Sequence, residues 1–178
     1  MSGKRRHWGF HRLTAAWAAH LVADARVRPG DLVLDVGAGT GAITEQLVRA
    51  GARVIAVELH PARHRILQER FDADDVVVVR ADACDLRLPR RPFKVVSNPP
   101  FAVTTSLMKR LLAPGSRLVD AHLVVQRAAA VRWVDARAPG AGRWRHEFDV
   151  AVTRTVPANA FQPPPPGACA ELVVRRRR

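Results

Sequence analysis

Asn98-Pro99-Pro100-Phe101 carries the most chemistry in this chain. The tetrapeptide follows the apolar run Phe93 to Ser97, which reads as a buried strand, so an amide, two rigid rings and an aromatic face are expected at a strand's carboxyl end. Pro99 removes a backbone N–H and fixes φ, which frees the carbonyls of Asn98 and Pro99 to meet a donor outside the sheet. Phe101 adds a stacking surface. Such a slot suits the exocyclic amine of a nucleobase drawn from its stack, held by its edge and pressed against the ring. A proline-rich turn has the same composition, and the four residues alone leave both readings open.

Upstream, Leu32 to Asp35 is an apolar strand that runs into Gly37-Ala38-Gly39-Thr40-Gly41, and helical periodicity follows from Ala42 to Ala50. The glycines let backbone approach a ligand where a Cβ would intrude. A second strand, Arg53 to Val57, ends in Glu58, 21 residues beyond Gly37, an offset suited to accepting hydrogen bonds from ribose hydroxyls. A third, Val76 to Ala81, ends in Asp82-Ala83, where the carboxylate can accept from an adenine amino group. The spacing is GxGxG, not the GxGxxG of a dinucleotide site, and Asp35 would repel a pyrophosphate but attract a cation. S-adenosyl-L-methionine, with a positive sulfonium and ammonium, therefore fits better than a nicotinamide dinucleotide. Asp35, Gly37, Gly39, Glu58, Asp82, Ala83 and Asn98 are the residues expected around it.

On these residues the chain resembles the rRNA adenine N6-methyltransferases, and most closely the Erm class that modifies 23S rRNA and confers macrolide-lincosamide-streptogramin B resistance. The resemblance extends to Trp8-Gly9-Phe10-His11, similar to the family's Gln-Asn-Phe-Leu, and to Gln126-Arg127, Gly142-Arg143-Trp144 and Phe161-Gln162-Pro163-Pro164-Pro165. It implies a Rossmann-like α/β fold of seven mostly parallel strands with helices on both faces. It also implies Gly9 and His11 at the cofactor, and Arg143, Trp144 and Phe161 against the RNA. The chain departs from the pattern in lacking the first motif's glutamine and asparagine, and in having Pro99 and Phe101 where another apolar residue and tyrosine are usual. No C-terminal helical domain is expected after residue 178.

Resemblance and chemistry imply one mechanism. The N6 lone pair of adenine is delocalised and weakly nucleophilic. Acceptors at the Asn98 side-chain oxygen and the Pro99 carbonyl would bind the nitrogen more strongly as it gains positive charge during attack. Phe101 would hold the ring, and no strong base is needed. Two other readings compete: a methyltransferase acting on a glutamine or arginine side chain of a protein, and a noncatalytic RNA-binding or ribosome-assembly factor.

These groups are positioned by a chain of 178 residues, long enough for one catalytic unit with a sizeable core: a basic segment and helix over 1–30 and the α/β core over 31–178. Apolar residues make up 48%, which excludes a disordered tail, and the net charge of +13, from 29 basic against 16 acidic residues, calls for a polyanionic partner. The basic residues cluster at Lys4 to His7, Arg63-His64-Arg65, Arg90-Arg91, Lys109-Arg110, Arg143 with Arg145, and Arg175 to Arg178. Lys109 and Arg110, on the helix Thr105 to Leu112 after the slot, are expected to face RNA. The terminal run is expected to fray and Asp135 to Arg145 to be a mobile loop.

Thr14 to Ala25 reads as an amphipathic helix, since His20 and Asp24 interrupt the run that Lys4 to Arg6 would otherwise make resemble a signal peptide. Pro61 to Phe71 reads as a helix, and Leu118 to Val125, Phe148 to Val156 and Ala170 to Val174 as strands. Pro163 to Pro166 is a rigid connector bordering the base pocket. Cys84 and Cys169 are too far apart in sequence to suggest a metal site or disulfide framework, and no metal is expected. A cytoplasmic monomer without a membrane span, acting on 23S rRNA or its precursor, is the resulting expectation.

Overall fold

The computed structural model describes residues 11–177. Lys4 to His7 and Gly9 lie outside them. Thr14 opens the first helix, α1 (Ala15–Asp24), its hydroxyl accepting from the Trp17 N–H at 3.4 Å. Ala18, Leu21 and Val22 recur at helical spacing and form the buried face. The short strand β1 (Arg12–Leu13) precedes it and pairs with β8 (Phe161–Gln162).

The main sheet has seven strands in the order β4-β3-β2-β5-β6-β9-β7. β2 (Leu32–Val36), β3 (Arg53–Val57), β4 (Val76–Val79), β5 (Phe93–Ser97) and β6 (Leu118–Gln126) run parallel. β9 (Cys169–Arg176) is antiparallel to both of its neighbours, β6 and β7 (Phe148–Val156). All five residues of β2 are buried, as expected of a central parallel strand covered on both faces. Its alternation sends Leu32, Leu34 and Val36 into one core and Val33 into the other. The second core is closed by α1, α2 (Ala42–Arg49) and α3 (Pro61–Arg70); the first by α4 (Thr104–Leu111), α5 (Arg127–Val134) and α6 (Ala141–Trp144). The Rossmann-like architecture read from the sequence is the one observed.

Three local expectations are corrected. Asp135 to Arg145 is no open loop: α6 lies within it, and Trp144, 5% exposed, packs against Trp133 at a ring separation of 6.3 Å. The residues just before it, Arg127 to Val134, form a helix whose start no capping side chain or first-turn acid marks in the sequence. The arginine run does not fray at its start. Arg175 and Arg176 belong to β9, and Arg176 binds Glu147 at 2.7 Å, donates to the Leu118 and Ser116 carbonyls and covers the Phe148 ring. β4 stops at Val79, two residues early, because Asp82 begins a separate turn.

A charged network is buried on the α1 side of β6 and β9. His122, 2% exposed, lies 2.7 Å from Glu171 and 3.1 Å from Asp120. Arg154 then bridges Glu171 to Asp24 of α1. Burial alone would lower the His122 pKa, but the two carboxylates outweigh it and the net direction is upward. Glu171 is lowered against the pull of its own burial, chiefly by His122. Among the described residues no helix is long and apolar enough to cross a membrane, and no group of three His, Cys, Asp or Glu side chains could hold a metal.

Candidate active site

The strand order reverses between β2 and β5, and in parallel α/β sheets ligands bind in the crevice beyond the carboxyl ends at such a point. Neighbouring strands lie about 4.8 Å apart, so groups at the ends of β3, β2 and β5 must converge. They do. His11, Asp35, Gly37, Glu58, Asn98 and Phe101 line one cleft of about 150 Å³, with Pro99 beside them.

Gly37 joins the glycine loop to the slot. Its φ is +76°, and a Cβ there would lie 2.6 Å from Pro100 Cδ, so only glycine permits this approach. Asp35, the carboxylate two residues earlier, is 1% exposed. The Thr44 hydroxyl on α2 donates to its Oδ2 at 2.7 Å, while Oδ1 is buried without a partner. Burial pushes this carboxyl up to about 7; Thr44 opposes the rise and the charge of Glu58 adds to it. A buried acid with one oxygen unmatched is a receptor for a cation. That is the observation by which a sulfonium-ammonium ligand fits these residues.

Glu58 is held more tightly than the sequence suggested. Gly39 N–H donates to its Oε2 at 2.9 Å, His60 N–H to its Oε1 at 2.8 Å, and Arg63 lies 3.4 Å from Oε1. Gly39 therefore acts by fixing Glu58 rather than by lining the cleft. Oε1 thus accepts from two groups and Oε2 from one, which leaves a lone pair on Oε2 for a ribose hydroxyl. Asp82 and Ala83 stand outside the enclosed volume, at the end of β4, where Asp82 Oδ1 caps the turn at Cys84 N–H. The cleft is smaller than the ~300 Å³ of an ordinary ligand pocket.

Asn98 donates its side-chain N–H to the His11 carbonyl at 2.6 Å. A carbonyl can only accept, so this bond fixes which way the amide faces. Asn98 Oδ1 is left without a partner. His11 in turn stacks on Phe101, with centroids 5.9 Å apart and planes 15° apart, and its Nδ1 meets the Pro163 carbonyl at 3.1 Å. The proline connector thus borders the slot through His11. A base taking this face of Phe101 must displace the His11 ring.

Four residues expected at substrate are placed elsewhere or otherwise engaged. Trp144 is buried, its indole N–H donating to the Pro139 carbonyl, so it cannot stack on a base. It and the exposed Arg143 precede Phe148, which pairs with Arg176 at the amino-end edge of the sheet, opposite the cleft. Phe161 is 3% exposed and serves the core beside Leu13. Arg110 binds Asp85 at 2.9 Å and the carbonyls of Cys84 and Leu86. It clamps the turn that Asp82 caps instead of reaching outward. Lys109 is exposed on α4. Sequence reasoning missed Thr44, Arg63 and the clamping role of Arg110; the signal for Thr44 was a hydroxyl in the first turn after the glycine loop.

Over residues 2–177 the chain matches the family described as ribosomal RNA adenine dimethylase. It is 35% identical to a probable ribosomal RNA small subunit methyltransferase A of Methanosarcina mazei, over 86% of this chain and 58% of that protein. It is also 35% identical to the mycinamicin-resistance protein MyrB of Micromonospora griseorubida, over 89% of this chain and 50% of that one. The chain thus spans about half to three-fifths of these relatives. The crystal structure of 23S rRNA methyltransferase ErmE superposes with a TM-score of 0.80 at 26% identity, covering 95% of this chain and 70% of that one. With that match running through the glycine loop, the acids and the Asn98 slot alike, the chain belongs to the ribosomal RNA adenine dimethylase family, whose cofactor is S-adenosyl-L-methionine.

Proposed function

We propose that this chain methylates the N6 amine of an adenine in 23S rRNA or its precursor, as a cytoplasmic monomer, and so confers resistance to macrolide, lincosamide and streptogramin B antibiotics. In this reading residues 1–178 form one catalytic unit, a basic segment and helix over 1–30 and the Rossmann-like core over 31–178. The reading rests on one observation: Asn98 spends its donor on the His11 carbonyl and keeps a buried, unpartnered acceptor in the cleft. An acceptor without a donor is what an aromatic amine requires.

When bound, S-adenosyl-L-methionine supplies an electrophilic methyl group. Asp35 would hold its cationic portion, Glu58 its ribose, and the Asp82-Ala83 turn its adenine, while Gly37 leaves the backbone room beside Pro100; Gly9 and His11 would contact it as well. Asn98 Oδ1 and the Pro99 carbonyl accept the two N6 protons of the target adenine. Both bonds strengthen as the nitrogen becomes cationic, so they favour the transition state over the ground state. Phe101 stacks on the base, and its face favours the same positive charge. Lys109 adds a phosphate contact. MyrB and ErmE support the large-subunit target and the resistance. The relative from Methanosarcina mazei favours a second reading, an adenine of small-subunit rRNA.

Labelled methyl groups from S-adenosyl-L-methionine are expected to enter naked 23S rRNA, with reverse-transcription stops mapping the base. Asn98→Ala should lower the rate about 10²- to 10³-fold, the usual cost of one such acceptor or donor, with RNA affinity retained. Label in 16S rRNA alone would favour the second reading. Label in neither would refute both.

A further inference from the structure

A groove of about 610 Å³ lies between the segment 86–90 and the turn 113–117, at the opposite end of α4 from the cleft. Those segments lead into Phe93 and Leu118, so the groove sits at the amino ends of β5 and β6. Arg87, Arg90 and Arg117 line it and are exposed; no acidic side chain does. Among the described residues none of these three guanidinium groups has a hydrogen-bond or ion-pair partner, whereas Arg110, beside them, is consumed by Asp85. Gly115 and Ser116 form the rim, and a Cβ added at Gly115 would meet nothing within 4 Å, so a bulky ligand can come close.

The neighbouring acids, Asp85 and Glu147, are engaged by Arg110 and Arg176, so the three like charges in the groove repel one another, and a polyanion relieves that repulsion by releasing its counterions. We infer that this groove grips the phosphate backbone of structured RNA that flanks the target adenine, an inference that rests on the rRNA reading above. Spacing favours a helix over an isolated nucleotide. From Asn98 to the groove is one length of β5, five residues or about 17 Å. A stacked strand advances about 3.4 Å per residue, so roughly five base pairs separate a base in the slot from the phosphates in the groove. Arginine, with its planar fork, suits two phosphate oxygens at once.

The test compares two RNAs, a hairpin with an unpaired adenine beside a stem of ten base pairs and a five-nucleotide single strand. Arg87→Gln/Arg90→Gln/Arg117→Gln should weaken hairpin binding at least tenfold, raise KM for the hairpin without changing kcat, and leave the short strand unaffected. The slope of log affinity against log salt should fall by about two to three, at ~0.9 per lost duplex phosphate contact. Arg53→Gln/Arg65→Gln/Arg132→Gln removes the same charge from exposed positions outside the groove and should leave the slope nearly unchanged; unaltered melting temperatures verify folding of both variants. Equal losses in the two triple variants, or no loss in the first, would overturn the groove while the rRNA reading stands. A parent protein that binds and methylates neither RNA overturns both.

Discussion

Asp35→Asn isolates a single buried charge. In the free protein burial lifts this carboxyl from 3.8 to about 7, so below neutrality it is largely protonated. A cation at the unpartnered Oδ1 favours the ionised form. Binding of S-adenosyl-L-methionine should therefore release a proton, and affinity should rise with pH until it levels off near 7. Each pH unit contributes at most tenfold, about 1.4 kcal/mol, so the ceiling between pH 5 and 7 is about a hundredfold. The ligand's own amino group, like an α-amine of pKa about 7.7–8.0, stays protonated through most of this range. Asparagine keeps an acceptor for Thr44 but has no charge. It should abolish the pH dependence and, at pH 7, weaken binding by about ten- to a hundredfold, the worth of a charged hydrogen bond. Titration calorimetry in two buffers of different ionisation enthalpy counts the released protons directly. No proton release in the parent protein, or undiminished release in Asp35→Asn, would refute the argument.

The ligand-free protein gives a related outcome of opposite sense: because the folded pKa of Asp35 is raised, its ionisation costs stability as pH climbs from about 4 to 7, and Asp35→Asn should remove that decline in a denaturant titration. Gly37→Ala places a Cβ 2.6 Å from Pro100 Cδ at φ +76°; unfolding should be easier by about 1–3 kcal/mol, and unchanged stability would show that the slot can yield. Arg110→Ala frees the Cys84-Asp85-Leu86 segment, so the Kd for S-adenosyl-L-methionine should rise about three- to tenfold. Arg110→Lys should not rescue it, since one ammonium cannot match three fixed acceptors; full rescue would point to charge alone. His122, raised above 6.5, stabilises fully below that value and loses its contribution as pH rises through its folded pKa. Glu171, lowered below 4.5, is fully effective above that value and fails as pH falls through its folded pKa. The stability lost in His122→Gln should thus be greatest between about pH 4.5 and 6.5, and a pH-independent difference in melting would contradict the coupled pair.

The strand ends were legible because each is a local pattern: an apolar run broken by glycine or an acid has few alternatives, and Asp35, Gly37, Glu58 and Asn98 follow from it. Parallel order in the sheet then brings together residues far apart in sequence. Side-chain destinations are another matter. Arginine is long and promiscuous, so nothing near Lys109-Arg110 in the sequence distinguishes a residue that faces RNA from one that clamps a turn 25 residues earlier. Trp144 and Phe161 read as recognition residues within short motifs, yet tertiary packing gave their apolar area to the cores. The sequence by itself determined that Asp35, the glycine loop, Glu58 and the Asn98 slot stand at strand ends, since strand and loop patterns depend on neighbours in the chain. Only the tertiary structure decided their polarity: the direction of the Asn98 amide depends on a carbonyl 87 residues away, and the charge of Asp35 on how completely β2 and α2 exclude water.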